Sequence, residues 1–566
     1  MPRSEPPAQP APLRIALLLD KPAASKYAYD FTRWAQDRPD LIITHLILHP
    51  ASARITLWSR VLARLKHDGP FRGTTYLAAS LLFHIIFTVE RVLLNRTERY
   101  RDHWREFDLC RIVPDQIIIT PIISKSGFVY RFSVDDIKTV KSLDLDLMIL
   151  CGHRILRGEI LQAAKMGVLS FHHADDRIIR GGPPGFWEVY FRRDTTGFTI
   201  QRLTEELDGG DILMRGHVTT QYYYMLNQAA LFEKSNFYLK SIVEKIASKR
   251  TLPPILPKFP YANKLFRSPT AVESVVYLAR LLSVIVKSKC PKLFGFHDRW
   301  NVGFICGDWP SAVLWRGSTL KNPPFHFLAD PFVVARDGKD FCFVEDFDYR
   351  TQRGAIAVYV ITDGAASRVG MALQEPFHLS FPFIFEHKGE LFMCPETEQI
   401  RNIRIYRCLE FPLRWKLEKV VMQNIAAADT MLFDMNGKWW LFTNIDRSGA
   451  GEYFELSIFS ADSPFSDRWT PHPQNPIFVD ARRARNGGLI RDGHRYFRIS
   501  QGQGFDRYGK KALLNEITEL TDTSYSEAVV CELTPDFKRG IVGTHHFHSN
   551  GTMTVFDYVK LSRISK

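Results

Sequence analysis

The sequence predicts a multidomain protein, an α/β domain on a parallel sheet followed by an all-β five-bladed propeller. Three observations predict it. The chain has 566 residues, more than one hydrophobic core normally organises. Its first fifty residues run apolar strand, helix, apolar strand, which opens a parallel α/β sheet. From about Trp300 the texture changes to aromatic-rich alternation broken by turn pairs, repeated along the chain.

The α/β elements come in order. Leu13 to Asp20 is an apolar run, Ala24 to Gln36 a helix, and Leu41 to Leu48 a second apolar run. No Gly-x-Gly-x-x-Gly follows the first strand, so this Rossmann-like sheet is not expected to bind a dinucleotide. The pattern resumes at Gln116 to Ile123 and at Leu145 to Cys151. A helix over Gly158 to Lys165 and a strand over Val168 to Phe171 then lead into a loop at His172. Residues 215–265 read as helix and then a Pro-rich stretch, LPPILPKFP, which suggests a linker. The expected partition is a disordered leader at 1–12, the α/β domain at 13–265, a linker helix at 266–295 and the propeller at 296–566.

Residues 51–105 interrupt the α/β pattern with amphipathic, basic sequence. Two readings stand. One is a helical insertion packed on the domain or on a second subunit. The other is a helical hairpin lying on an anionic membrane surface, with Arg60, Arg64, Lys66, Arg91, Arg96 and Arg99 near head groups. A second apolar helix with basic flanks, Val275 to Lys287, adds to either. No run is expected to reach the roughly 18 apolar residues that a spanning helix needs.

The all-β half repeats one phrase: an entering segment, alternating apolar residues, a turn pair and an aromatic strand. It reads ADPFVVARDGKDFCFVED at 329–346, FPFIFEHKGELFMCPETE at 381–398 and ADTMLFDMNGKWWLFTN at 428–444. NGGLIRDGHRYFRIS at 486–500 and THHFHSNGTMTVFDYV at 544–559 complete it. Asp-Gly, Lys-Gly and Asn-Gly between apolar alternations are tight hairpins. Five copies at a spacing of roughly 50 residues predict five blades.

Composition narrows the partners. A formal charge of +13 favours anionic lipid, nucleotide or phosphorylated glycan. The basic residues are spread out, with no block that would indicate nucleic acid. The eight cysteines form no Cys-x-x-Cys pair, so neither a zinc site nor a disulfide framework is expected, and no metal ligand set is read. A reducing cytosol fits them, with the inner face of the membrane as a second location. The Pro-rich opening followed at once by a short apolar run reads as a leader and first strand, not a signal peptide.

The densest chemistry lies in GVLSFHHADDRIIRGGPPGFWEVYFRRDTTGFTIQRLTEELDGGDIL, residues 167–213. His172 and Asp208 are expected on separate loops at the carboxyl ends of strands, where open α/β sheets bind ligands. An imidazole and a carboxylate so placed can relieve an attacking nucleophile of its proton. This stretch resembles the formyltransferase catalytic domain, the family of methionyl-tRNA, glycinamide ribonucleotide and sugar-nucleotide formyltransferases. The matching pieces are LDLMILCGHRIL, the Gly-Val strand, the histidine, an Arg-Gly loop, TGFTI and LDGGDIL. The resemblance implies 10-formyltetrahydrofolate as donor and an attacking amine. It maps the family's catalytic histidine onto His172, its aspartate onto Asp208, and its asparagine onto Ser170, a departure that shortens one oxyanion donor. It further suggests His173, Arg180 and Gly181 as residues lining the acceptor.

The entering segments supply a second set. Asp330, Pro382, Asp429, Asn486 and His545 are expected to face the centre of the propeller as sugar ligands. FLADPFVV resembles the first blade of arabinanase-like five-bladed glycoside hydrolases, which makes Asp330 a base, Asp429 a second aspartate, Glu396 or Glu398 an acid, and His545 a fifth-blade histidine. The all-β half is also similar to the N-terminal part of glucosamine inositolphosphorylceramide transferases, which points to glycolipid or polysaccharide assembly. The expected function is formyl transfer to the amine of an amino sugar carried on a nucleotide, glycolipid or polysaccharide precursor, with the propeller holding the glycan. Two alternatives stay open: glycosyl-transferring or glycoside-cleaving chemistry in the propeller, and non-catalytic glycan binding.

Overall fold

The computed structural model describes residues 11–50, 78–124, 127, 129–152, 154–206, 209–505 and 507–563. The chain forms two compact units, Met1–Gly216 with Thr220–Leu281, and His217–Thr219 with Leu282–Lys566.

The first unit is built on a seven-stranded sheet. Its strands are β1 (Leu13–Leu19), β2 (Leu41–Leu48), β3 (Gln116–Ile118), β4 (Leu147–Leu150), β5 (Val168–His172), β6 (Thr195–Arg202) and β7 (Asp211–Thr219), in the spatial order β7-β6-β5-β4-β1-β2-β3. The pairs β3/β2, β2/β1, β1/β4 and β4/β5 are parallel, and β6 runs antiparallel to β5. Leu13 and Ile15 to Leu18 have no exposed surface. That is why β1 is apolar without a break from Ile15 to Leu19: a parallel sheet is covered on both faces.

Helix α1 (Lys26–Gln36) starts where the Ser25 hydroxyl accepts from the Ala28 amide, and buries Tyr27, Ala28, Phe31, Thr32 and Ala35 along one face. Helix α2 (Ala78–Asn95) is the described part of the interruption; residues 51–77 lie outside the described residues, and with them Arg60, Arg64 and Lys66. Against the expectation from sequence, α2 holds an 18-residue window with a mean hydropathy of 1.4, long and apolar enough to cross a membrane. Helices α3 (Val134–Lys141), α4 (Phe186–Phe191), α5 (Tyr224–Lys249) and α6 (Ala271–Leu293) follow. The helix expected over 158–165 is a single 3-10 turn, Glu159–Gln162, entered through Gly158 at φ 87°.

Among the described residues the second unit holds five antiparallel sheets. The first contains His326–Arg336, Lys339–Asp348, Arg353–Thr362 and Ala365–Leu373; the second contains Ser380–His387, Glu390–Glu396, Asn402–Glu410 and Arg414–Gln423. The third is led by Ala427–Met435, Lys438–Ile445 and Glu455–Ala461, and the fourth contains Arg485–Asp492, Arg495–Gly502, Lys511–Leu520 and Tyr525–Leu533. The fifth joins the two ends of the unit: Phe296–Cys306 pairs along its whole length with Met553–Arg563, which also carries Phe547–Ser549. The leading strand of each sheet packs beside the leading strand of the next, and Phe547–Ser549 returns the sequence to His326–Arg336. The turn pairs read from sequence sit between paired strands. Asp337-Gly338, Lys388-Gly389 and Asn436-Gly437 all have both residues at positive φ, the requirement of the two-residue turn that matches strand twist. Phe332, Phe383, Met431, Leu432 and Leu489 from four leading strands belong to one apolar core.

Candidate functional site

In the first unit, His172 is the last residue of β5 and so stands at the carboxyl edge of the parallel strands. Ser170, two residues earlier, shares its sheet face because side chains alternate along a strand. Ser170 is buried, with its hydroxyl donating to the Phe171 carbonyl at 3.5 Å. The His172 Nε2 lies 3.2 Å from the Ile179 carbonyl. A carbonyl only accepts, so Nε2 carries the hydrogen and Nδ1 is the ring atom left for a substrate. His173 points to the other face, stacked on Phe232 at 3.9 Å with Nδ1 3.4 Å from the Ser235 hydroxyl. Asp208 lies outside the described residues.

The rest of this loop is tied down. Asp175 takes two bonds from Arg177, and Asp176 takes two from Arg215 at 2.7 and 3.0 Å. Burial pushes the Asp176 carboxyl up, and the Arg215 bonds more than offset this, leaving it below its ordinary value. The Arg180 guanidinium donates to the Asp176 carbonyl at 2.9 Å and lies over the Tyr261 ring at 4.6 Å. Gly181 adopts φ 98°, and a Cβ there would lie 2.0 Å from the Phe266 carbonyl oxygen. The glycine is needed because Arg180 and Gly181 pair with Leu265 and Phe266.

In the second unit the leading strands bring a dense polar cluster together. Each of the first four carries a register shift at the same place: after Ala329, Ser380, Ala428 and Asn486. The residues that follow, Asp330, Phe381 and Asp429, have φ of 50°, 46° and 49°. The expected position Pro382 is therefore off by one; Phe381 is the counterpart of Asp330. Asn486 lies just before its bulge, where its amide donates to the Asp429 carbonyl at 2.9 Å.

Asp330 and Asp429 are both buried. The Asp330 amide donates to Asp557 Oδ2 at 3.3 Å, and its Oδ1 is 3.8 Å from His545 Nε2 and 3.6 Å from His546 Nδ1. His545 Nδ1 pairs with Asp557 Oδ2 at 2.6 Å, and the His545 ring stacks on Trp300 at 4.0 Å. Asp429 receives Arg485 Nε at 2.5 Å and Gln501 Nε2 at 3.2 Å, while its amide donates to Glu396 Oε2 at 3.2 Å. Arg485 lies beneath Tyr508 and Tyr453, at 5.0 and 5.5 Å from their rings.

These groups set one another's charge. Burial, with the negative charges of Asp429 and Asp557 added, pushes Asp330 up to about 7 against the pull of His545. Burial and then Asp330 and Glu396 drive Glu345 well above the carboxylate range; burial and then Asp429 do the same to Glu396, despite Arg485. Burial disfavours the His545 cation, but Asp557 and Asp330 overcome it and raise the imidazole. The cluster thus sets carboxyls that hold their protons to higher pH than usual beside an imidazole whose cation is favoured, the elements of acid catalysis. One donor atom each from Asp330, His545 and Asp557 lies within 4.8 Å of the others, a spacing able to hold a cation.

Sequence reasoning missed Glu345, Arg485, Asp557, Trp300 and Tyr508. Glu345 had a signal: it faces Ala329 as Glu396 faces Ser380, so superposing the first two repeats marks it. Arg485 and Asp557 had none, because the ring of sheets alone brings them beside Asp429 and Asp330.

Comparison with known proteins finds likenesses to two kinds of transferase. Residues 309–548 match the family "Glucosamine inositolphosphorylceramide transferase 1, N-terminal". Glucosamine inositolphosphorylceramide transferase 1 of Arabidopsis thaliana is 34% identical over 262 residues, 41% of this chain and 34% of that protein. Methionyl-tRNA formyltransferase of Bacillus thuringiensis (strain Al Hakam) is 34% identical over 85 residues, 15% of this chain and 27% of that protein. Among solved structures, the catalytic domain of Coprinopsis cinerea GH62 alpha-L-arabinofuranosidase is 12% identical with a TM-score of 0.33, covering 47% of this chain and 97% of its own. The chain spans about a third of the length of the curated relatives it matches first. Residues 309–548 of the second unit are thus similar to part of a transferase named for glucosamine and inositolphosphorylceramide, and 85 residues of the chain are similar to a formyltransferase.

Proposed function

We propose that this protein transfers a formyl group to the amine of an amino sugar during glycolipid or glycan assembly. The observation that carries this reading is His172, placed at the carboxyl edge of a parallel sheet, in the stretch 167–213 whose sequence resembles formyltransferases. The similarity of residues 309–548 to a family named for glucosamine and inositolphosphorylceramide supplies the acceptor class. We read the five sheets as blades of a propeller that holds the glycan at Asp330, Asp429, Glu396 and His545.

In this reading the sugar amine attacks the formyl carbon of 10-formyltetrahydrofolate. The carbonyl electrons move to oxygen, the His172 imidazole polarises that oxygen, and Asp208 takes the amine proton. Collapse re-forms the carbonyl and breaks the bond to the folate nitrogen, which leaves with the proton that Asp208 took from the amine. The donor rests on the sequence likeness alone. Incubation with 10-formyltetrahydrofolate and glucosamine-bearing lipids or nucleotides is expected to release tetrahydrofolate. His172→Ala should slow this about 100-fold or more, the loss typical of one oxyanion donor. Absence of turnover, or turnover unchanged in that variant, rejects the reading.

A second reading rests on the central cluster of the second unit. Asp330, protonated up to about pH 7, and Glu345 and Glu396, both held above the ordinary range, suit proton delivery to a glycosidic oxygen. Loss of activity on a glycoside in Asp330→Asn, with His172→Ala unaffected, selects this reading over formyl transfer.

A further inference from the structure

The centre of the second unit gathers more carboxyl groups than cations. Asp330, Glu345, Glu396, Asp429 and Asp557 stand within one another's electrostatic reach, and among the described residues Arg485 and His545 are the positive groups set against them. His546 and His548 lie beside them, but burial holds both imidazoles below the ordinary histidine value, so they add no charge. Arg485 is engaged by Asp429 at 2.5 Å, and His545 by Asp557 at 2.6 Å. Glu345 is left without such a partner. It is 6% exposed and faces Ala329, next to the Asp330 bulge. It accepts no hydrogen bond from the described residues, and its one ion-pair contact among them is His378 Nε2 at 3.5 Å. Burial holds His378 below its ordinary value as well. A buried carboxyl group with no donor is costly, and a bound cationic donor removes that cost.

A second acceptor in the same place is also unmet. Gln501 is 1% exposed, and its Nε2 donates to Asp429 Oδ2 at 3.2 Å and to the Asn486 carbonyl at 2.6 Å. Its Oε1 has no partner. Around these groups the walls are aromatic. The Trp300 ring stacks on His545 at 4.0 Å, and Tyr508 meets His545 edge-on at 5.3 Å. Tyr508 is 45% exposed, so its ring is open to a ligand. The loop that carries it is held down. The Gly509 amide donates to Gln503 Oε1 at 3.0 Å, and Arg507 pairs with Asp298 at 2.6 Å. Gly509 has φ 61°, and a Cβ there would lie 2.9 Å from the Trp300 ring.

We propose that this cluster holds the free ammonium of an amino sugar, with Glu345 and Asp330 as its acceptors, Gln501 Oε1 meeting a hydroxyl, and the apolar face of the pyranose ring against Tyr508 and Trp300. The charge of an ammonium favours the ionised carboxyls over the protonated ones. Aromatic faces pack on the C–H face of a sugar and attract a cation. An N-acylated sugar keeps one N–H and no charge, and a neutral sugar has no nitrogen donor, so neither answers Glu345 as fully. The ligand is a sugar because aromatic rings wall the site and because residues 309–548 match a family named for glucosamine. Such a site deepens the reading of the second unit as the part that holds the glycan, and rests on it. It also sets an order: the sugar is held while its amine is free and let go once that amine is acylated.

Calorimetric titration of the full chain at mildly acidic pH, where the amine is charged, tests it with methyl glucosaminide, methyl N-acetylglucosaminide and methyl glucoside. The amine is expected to bind about tenfold tighter or more than either neutral sugar, as one hydrogen bond to a charged group supplies. Glu345→Gln keeps the shape of the side chain and should reduce that preference about tenfold. Tyr508→Ala should weaken all three sugars and leave the preference for the amine in place. If Glu345→Gln lowers the thermal midpoint, the comparison of sugars on the parent chain still decides. Equal binding of the three sugars by the parent, or an unchanged preference in a folded Glu345→Gln, overturns the proposal. So does displacement of the amino sugar by calcium or magnesium chloride, since a metal ion would then occupy the carboxyl groups. Equal binding leaves the glycan-holding reading standing, whereas binding of none of the three removes both. No folate enters the titration, so its outcome is separate from that of formyl transfer.

Discussion

At the scale of single residues, Asp330 carries a distinct pH signature. Its carboxyl is held at about 7 in the fold, against 3.8 as its ordinary value. Between these values the native chain binds a proton that the unfolded chain has lost. The stabilising contribution is therefore fully present below about pH 4 and is lost as pH rises towards 7. Asp330→Asn keeps the neutral form at every pH, so its melting temperature relative to the parent should climb across that window; a flat difference between pH 4 and 7 contradicts the assignment. Arg498 gives a second residue-scale test. It is completely buried, with two bonds to the equally buried Glu527 at 2.7 Å each. Arg498→Met leaves that carboxylate unpaired and should destabilise the second unit by ~3–5 kcal/mol, read as a lowered urea midpoint.

At the scale of elements, the strands and turns were legible because local chemistry dictates them. Asn436-Gly437 and its counterparts accept positive φ at both positions, and alternating aromatics around them leave little else to form. β1 was legible from the apolar run Ile15 to Leu19, and α1 by its stripe and its Ser25 cap. The helix expected at 158–165 failed because Gly158 at φ 87° and the following short turn answer to the strand on either side, not to helix propensity. The bulges after Ala329, Ser380 and Ala428 moved the inward position from Pro382 to Phe381, and no local pattern reveals a one-residue shift. Of the candidate sites, His172, Asp330, Asp429, Glu396 and His545 were nameable from motifs. Arg485, Trp300 and Asp557 were not, since their partners lie tens to hundreds of residues away. Gly181 offers the element-scale prediction: Gly181→Ala places a methyl against the Phe266 carbonyl, and should break the Arg180–Gly181 pairing and lower the thermal midpoint. An unchanged midpoint would show that the two short strands do not depend on that contact.

At the scale of the whole molecule, two compact units with separate cores share one chain. Calorimetry should resolve two unfolding transitions, and Arg498→Met should shift just one of them. A single transition that moves as a whole in that variant would mean that the units unfold together.

The outermost strand of the fourth sheet, Tyr525–Leu533, has one side of its backbone without a neighbouring strand in that sheet. Ala528, Val529, Val530 and Cys531 along it are all exposed, a run of β-forming side chains with no charge between Glu527 and Glu532. Free amides beside such a run invite an additional strand from another molecule. In concentrated stocks this margin is where sticking would begin, and Val530→Lys should raise the concentration at which turbidity appears without altering either candidate site.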